Sequence, residues 1–501
     1  MTGKSKSVLN NWRIRQTVRE DAHKGGQASK RIRAVLSAVT IGAGLVTSMG
    51  VAVAEDANSA GQSMPSILTG DAQQHPHLQG SSQETAAGSG EAQHALGPAD
   101  TTLSSTRKQE ADQLAGVAEK MHEDAHRRAG TKRLTAADIA PTPMSGTGPA
   151  LTVPTEQLQK ALHCEGDLAG GKHDPVLLIH GTTSSPQATW SWTWMPAFRA
   201  EGRSFCTVTL PGSGNEDIQI SAEYVTHAIR MMHERAGRKI DIVGHSQGGM
   251  IPHWSLKWWP DTRAMVDDVV GLSPSNNGTY ATVPFCVADG YCAPALYQQA
   301  PGSDFMTALH AGQMTFPGIS YTTVSTTLDE LVVPYQNGFL PLNEPNGGTV
   351  RNVVVQDHCP ATPVEHFSDI ANSAMYEITL DAFDHEGVTS YRGASYAGGG
   401  GSRKVSDEVC GRFIMPGVDI NKLPKSIVMG LSQSAISLVG SPEGEPHQNP
   451  LSSGSSTSNV RKTLEAMGST ESSSEAFREL NDVPTAARQD HEPPVRDYAL
   501  K

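Results

Sequence analysis

The stretch "IDIVGHSQGGMIPHW", residues 240–254, places one serine, Ser246, between two glycines in the pattern G-x-S-x-G. In a chain with 49 Gly among 501 residues, this pattern arises by chance on the order of 0.4 times. Its surroundings therefore decide its meaning. An apolar run precedes the serine, and Met250, Trp254 and Trp258 follow at helical spacing, which predicts a strand, a tight turn and a helix.

Similar apolar runs alternate with helical patterns from about residue 154 to residue 440. Further strands are predicted at residues 175–180, 205–210, 268–273, 320–326 and 350–355. They are almost continuously apolar, as strands are when both faces of a sheet are covered. Helical stripes such as Val225, Ile229 and Met232 lie between them. The sequence therefore predicts an α/β fold, with a mostly parallel sheet and helices on both faces.

Residues 1–54 have the order of an export signal. The first 33 residues carry a net charge of +7, and a weakly apolar stretch then ends in Ala52-Val53-Ala54. This predicts a secretory signal peptide that is cleaved after Ala54; the alternative is a retained membrane anchor, although its Thr, Ser and Gly content makes a weak spanning helix. The chain has a net charge of −13, so cleavage leaves about −20, which disfavours binding to nucleic acid.

Two further regions have few apolar residues. Residues 55–153 are rich in Gly, Ser, Ala, Gln and His, and residues 441–501 are polar and charged. Because such segments bury too little apolar surface to offset their chain entropy, we predict a disordered spacer or propeptide and a disordered tail. One marginal helix is predicted at residues 107–130 of the spacer. Residues 154–440 remain as the folded domain.

A serine hydroxyl becomes a nucleophile when a histidine accepts its proton and a carboxylate orients that histidine. If Ser246 is such a nucleophile, an acid and then a histidine should follow later strands. Asp329 comes just after the strand at 320–326, with Glu330 as the competing acid.

Three histidines follow the strand at 350–355, namely His358, His366 and His385. His366 is favoured because it opens a predicted helix after a loop long enough to return to the serine. His358 lies close to the strand and to a cysteine, and His385 lies beyond the helix.

Acyl transfer also needs donors for the negative charge of the intermediate. The N–H of Gln247, directly after the serine, is one candidate. Thr182 in "LLIHGTTSS", residues 177–185, is the other, since this segment follows an earlier strand. The alternative is that "HGTT" is only a turn.

The six cysteines all follow the predicted signal peptide. An even number in an exported chain favours three disulfides, with 15 possible pairings. There is no C-x-x-C, which disfavours zinc binding and thioredoxin chemistry. We predict neither a metal nor an organic cofactor.

Residues 155–440 resemble the Candida antarctica lipase B-like lipases, a branch of the α/β-hydrolases. Residues 246–279 are similar to that family's nucleophile helix and following strand, residues 326–334 to its acid loop, and residues 297–309 to the segment that lines its acyl pocket and mobile entrance. The resemblance implies an α/β-hydrolase catalytic domain. Its implied site is the nucleophile Ser246, the acid Asp329, the base His366, and an oxyanion hole of Thr182 and Gln247.

The resemblance also covers four of the cysteines. It implies the pairs Cys164–Cys206 and Cys359–Cys410, each worth roughly 4 kcal/mol in the chain-entropy model, and leaves Cys286 and Cys292 to pair locally. Three features depart from the family. His245 replaces a tryptophan, Ser275 replaces an aspartate of the pocket, and "IHGTT" replaces a more glycine-rich loop.

The leading hypothesis is a secreted or cell-envelope serine hydrolase, a lipase or esterase that acts on lipid esters such as acylglycerols, including those at a lipid–water interface. After signal cleavage we expect no stable transmembrane segment. One alternative is a cell-envelope acyltransferase with the same triad. Another is an inactive, surface-binding relative, which predicts a broken triad.

Overall fold

A seven-stranded sheet forms the centre of the protein, and a computed structural model describes residues 98–289, 292–419 and 491–501. The predicted signal peptide, residues 55–97 of the spacer, residues 420–440 and residues 441–490 of the tail lie outside the described residues. The strands are β1 (Leu162–Glu165), β2 (Val176–Ile179), β3 (Phe205–Val208), β4 (Ile240–His245), β5 (Val266–Leu272), β6 (Ser320–Ser325) and β7 (Thr349–Val354).

Helices occupy most of the connections between these strands. They are α1 (Pro98–Ala129), α2 (Thr155–Ala161), α3 (Pro186–Thr189), α4 (Trp194–Glu201), α5 (Ile218–Ala236), α6 (Gln247–Trp258), α7 (Val283–Asp289), α8 (Pro294–Gln299), α9 (Asp304–His310), α10 (Ser373–Phe383) and α11 (Asp407–Gly411).

The strand order in the sheet is β1-β3-β2-β4-β5-β6-β7, and only β1 runs antiparallel to its neighbour. The predicted α/β fold with a mostly parallel sheet is confirmed, as are its six predicted strands. The edge strand β1 was not predicted because it is short and only partly buried. Cys164 of β1 lies directly opposite Cys206 of β3, to which it is disulfide-bonded.

Both faces of the sheet are covered, as the apolar strands predict. In β2, Leu177 and Ile179 pack with residues of α5 and α6, whereas Val176 and Leu178 pack with residues of α4 and α10. This alternation explains why every residue of β2 is apolar and buried. The two-sided core fixes the carboxyl ends of β4, β6 and β7, where the candidate site lies.

The region predicted as a disordered spacer differs from the prediction. Its residues 98–129 form the helix α1, which is longer than the predicted marginal helix. Ala118 and Met121 of α1 pack against Val283 and Tyr297, while Val117 is exposed. The sequence pattern missed this contact because small alanines form most of the buried face.

The last eleven residues, predicted as part of a disordered tail, also pack on the domain. Leu500 forms a β-bridge with Ile139, and the Tyr498 hydroxyl accepts a hydrogen bond from Trp254 Nε1 at 3.2 Å. The Glu492 carboxylate accepts two backbone N–H bonds at the start of α9. These contacts depend on distant partners, so composition alone could not indicate them.

Three disulfides are present, Cys164–Cys206, Cys286–Cys292 and Cys359–Cys410. Among the described helices, none has both the length and the apolar character that a membrane crossing requires.

Candidate active site

Ser246 lies in a strained turn between β4 and α6. Its φ of 56° and ψ of −126° are unusual for a residue with a side chain. The backbone N–H of Ser246 donates to the carbonyl oxygen of Leu272 at 2.9 Å, which continues the contact between β4 and β5. Ser246 is partly exposed, whereas His245 and Gln247 on either side are buried. The turn therefore presents one serine at the carboxyl edge of the sheet.

The two glycines of the motif are required by close approaches of the backbone. A Cβ on Gly244 would collide with the carbonyl oxygen of Gly248, and a Cβ on Gly248 would collide with the carbonyl oxygens of Ile179 and His180. The pattern G-x-S-x-G is thus explained by packing between β4, the first turn of α6 and the end of β2.

Asp329 and His366 form a buried pair. His366 Nδ1 lies 2.9 and 3.0 Å from the two carboxylate oxygens of Asp329, and both side chains are almost completely buried. Asp329 Oδ1 also accepts the backbone N–H groups of Leu331 and Val332. The carboxylate is therefore fixed by its own loop and in turn fixes the imidazole, with Nδ1 as the donor.

The charge around His366 favours its protonated form. Burial disfavours the imidazolium, but the charges of Asp329, Asp369 and Glu330 outweigh that effect and raise the pKa of His366. Glu330 meets the backbone N–H of His366 at 3.3 Å rather than the ring. Burial raises the pKa of Glu330 to about 7, to which the nearby Glu365 and Asp329 carboxylates contribute. Of the two adjacent acids, Asp329 orients the ring.

The other two candidate histidines lie in different surroundings. His358 Nε2 contacts the carbonyl oxygen of Arg392 at 2.8 Å, and its Nδ1 accepts the N–H of Val405. Both ring nitrogens are thus used in local structure. His385 is exposed beyond α10. His366 itself precedes α10 in a turn rather than opening a helix, so that detail of the prediction is wrong.

The segment that contains Thr182 lies directly against the serine turn. A Cβ on the adjacent Gly181 would come within 2.9 Å of the Ser246 Cβ. The Thr182 Oγ1 accepts hydrogen bonds from the side-chain Nε2 atoms of Gln247 and Gln299, each at 3.0 Å. A hydroxyl has two acceptor positions and one donor hydrogen, so both acceptor positions are occupied and the O–H remains as a donor.

Gln299 connects this hydroxyl to Ser275. The Ser275 Oγ donates to Gln299 Oε1 at 2.9 Å, which leaves the Gln299 amide N–H to bond Thr182. Gln299 was not predicted as a site residue, because it comes from the end of α8 and is 117 residues from Thr182 along the chain. The sequence placed it only within the segment at 297–309, which resembles an acyl-pocket lining.

His245 and Asp369 also adjoin His366, although neither was predicted as a site residue. One ligand atom from each of these three residues lies within 4.8 Å of the others, and this is a donor set that can suit a transition metal. However, His245 Nε2 faces two acceptor oxygens, one at 3.0 Å and one at 3.2 Å, and therefore carries a proton. A protonated nitrogen has no lone pair for a metal, so we assign no metal ligand here.

Three comparisons bear on the family. A family model described as "Alpha/beta hydrolase family" matches residues 176–364. Lipase B from Pseudozyma antarctica is 29% identical over 261 residues, which are 50% of this chain and 75% of that protein. The crystal structure of Aspergillus fumigatus lipase B superposes with a TM-score of 0.51 and 26% identity, covering 62% of this chain and 76% of that one. Over about half of its length, this chain is a lipase B-like α/β hydrolase.

Proposed function

We propose that the protein is an exported lipase or esterase that cleaves lipid esters, such as acylglycerols, through an acyl-enzyme on Ser246. The observation that carries this proposal is the combination of a strained serine turn with a buried Asp329–His366 pair at the same edge of the sheet. The relatives that are named lipases support the choice of lipid esters over other acyl compounds.

In this mechanism the Ser246 Oγ attacks the ester carbonyl carbon while His366 takes the hydroxyl proton. Since Nδ1 of His366 faces Asp329, Nε2 is the atom that accepts it. The imidazolium then gives the proton to the leaving alcohol. A water molecule then gives a proton to His366 and attacks the carbonyl carbon of the acyl-enzyme. His366 returns the proton to Ser246 Oγ as the fatty acid leaves.

The tetrahedral intermediate carries negative charge on the former carbonyl oxygen. The N–H of Gln247 is available to it, because the first N–H groups of a helix have no partner within that helix. The Thr182 hydroxyl is the proposed second donor, since Gln247 and Gln299 occupy its acceptor positions. Donors held in place before the reaction stabilise such an oxyanion without reorganisation.

The three disulfides support export, since such bonds persist in oxidising compartments. We therefore place the enzyme outside the cytoplasm, either secreted or associated with the cell envelope.

The test is an assay of the purified protein on p-nitrophenyl esters of increasing acyl length and on emulsified triacylglycerol, beside the Ser246→Ala variant. We expect turnover by the wild type only. Activity that persists in Ser246→Ala would exclude Ser246 as the nucleophile, and a wild type that cleaves no ester would contradict the proposal. Product analysis with added glycerol tests for acyl transfer, in which glycerol replaces water as the acceptor of the acyl group.

A further inference from the structure

His245 lies directly against His366, the proposed base. The rings of His245 and His366 have their centroids 4.8 Å apart, and His245 Nε2 lies 3.0 Å from the carbonyl oxygen of His366. The same nitrogen lies 3.2 Å from Asp369 Oδ1. The carbonyl oxygen of His366 accepts the hydrogen bond from Nε2, and the Asp369 carboxylate lies within ion-pair distance of the same nitrogen. Because His245 directly precedes Ser246, this contact connects the serine turn with the backbone of His366.

Asp369 is completely buried beside this contact. Among the described residues, its carboxylate oxygens have no hydrogen-bond partner, and Oδ1 lies 3.2 Å from His245 Nε2. A buried carboxylate is unfavourable unless positive charge compensates it. The imidazoles of His245 and His366 are the neighbouring groups that can provide that charge.

We propose that His245 and Asp369 form a second histidine–carboxylate pair that holds the backbone of His366 and stabilises its imidazolium form during the reaction. This inference rests on the proposed function, because the imidazolium forms when His366 takes the proton of Ser246. Both residues are positioning residues that act through His366. The geometry gives them different tasks, since His245 fixes the carbonyl of His366 and Asp369 supplies negative charge.

The titratable and charged groups around His366 come from several elements. Asp329 faces Nδ1 of the ring, and Glu330 faces the backbone N–H with Glu365 beside it. Asp369 and His245 also lie close to His366, with His180 near His245. Asp369 is, after Asp329, the next charge that raises the pKa of His366. Removing that charge therefore makes His366 a weaker base.

The expected consequence is a change in the pH profile. A general base must be neutral before it accepts a proton, so kcat/KM rises with pH through the pKa of His366. In Asp369→Asn, this acid limb should move to lower pH by about one pH unit, and the plateau kcat should fall about tenfold with KM nearly unchanged. Asp268→Asn is the control, since it makes the same substitution at a buried carboxyl group at the other end of the sheet.

A matched pair of variants tests His245. His245→Gln keeps an N–H donor near the position of Nε2, so its plateau kcat should stay within about threefold of the wild type. His245→Phe keeps a flat ring but has no donor, and its kcat should fall about tenfold with KM unchanged. If Asp369→Asn fails to fold, this pair still decides the question. Equal kcat values for His245→Gln and His245→Phe would overturn the role of His245.

A readout without turnover separates this inference from the proposed function. Titration of ¹⁵N-histidine signals by NMR in the Ser246→Ala protein gives the pKa of His366 directly. We expect a lower pKa when Asp369→Asn is added. An unchanged pKa and an unchanged acid limb in Asp369→Asn would overturn the role of Asp369, whereas a wild type without esterase activity contradicts the proposed function instead.

Discussion

The two ends of the parallel sheet both bury carboxyl groups, but they surround them differently. At the carboxyl ends of the strands, Asp329 and Asp369 face imidazoles. At the amino ends, Asp241 of β4 and Asp268 of β5 lie buried beside each other, near Asp267. An imidazole beside a carboxyl group favours the charged carboxylate, whereas burial beside other carboxyl groups favours the protonated form.

The pKa shifts at the amino end follow from this arrangement. Burial, followed by the negative charge of Asp174, raises the pKa of Asp241 well above its usual value. Burial together with the charges of Asp241 and Asp267 raises the pKa of Asp268 to about 9. Under the proposed function, the same residue type serves the reaction at one end of the sheet, whereas at the other end we expect it to affect stability. Four experiments test this contrast between the two ends of the sheet.

The largest effect is expected for Ser246→Ala, which should lower kcat by about 10⁶-fold because no other group supplies the nucleophile. Asp268→Asn should keep kcat within about threefold of the wild type. The measurement is steady-state turnover of a short p-nitrophenyl ester by both variants. A large loss in Asp268→Asn would show that the two ends are not functionally separate.

Asp329→Asn should lower kcat by about 10⁴-fold, because an amide can hold the wrong tautomer of His366 and does not stabilise its imidazolium. The neighbouring Glu330→Gln is the matched control, since Glu330 bonds the backbone N–H rather than the ring. Its kcat should fall less than about tenfold. Comparable losses in the two variants would mean that Glu330 shares the role of the acid.

Thr182→Val should lower kcat by about 10²- to 10³-fold through loss of one oxyanion donor. Thr182→Ser retains the hydroxyl and should lie within about tenfold of the wild type. The two variants can be compared by single-turnover acylation. If valine and serine behaved alike, the hydroxyl would have no part in stabilising the oxyanion.

The smallest effect concerns stability. Because the folded-state pKa of Asp268 is about 9, well above the usual aspartate value, the folded state binds more protons than the unfolded state between about pH 4 and pH 9. Wild-type stability should therefore fall as pH rises through that range. Asp268→Asn should show a smaller drop in Tm between pH 5 and pH 8, measured by calorimetry. An equal drop in both proteins would contradict the raised pKa of Asp268.

Much of the fold could be predicted because it depends on local patterns. Continuous apolar runs give the six parallel strands, and glycine spacing gives the serine turn. The edge strand β1, the buried face of α1 and the packing of residues 491–501 depend on partners distant in the chain. No local pattern encodes those partners.

The residues of the candidate site also differ in whether local sequence patterns predict them. Ser246, Asp329 and His366 could be named because each follows a strand whose carboxyl end reaches one edge of a parallel sheet. Asp369 could not, since its burial against His245 arises only from the turn that returns His366 to that edge. His245 drew attention only as a departure from the lipase B-like pattern.

One glutamine has a consequence for selectivity. Gln299 belongs to the segment that resembles the acyl-pocket lining of the lipase B-like family, and its amide also bonds Thr182. A substrate whose acyl chain displaces this segment therefore weakens the support of the oxyanion donor as well. Poor fit of the acyl chain then raises the free energy of the transition state more than that of the bound substrate. Discrimination between acyl chains should accordingly appear in the turnover number rather than in affinity.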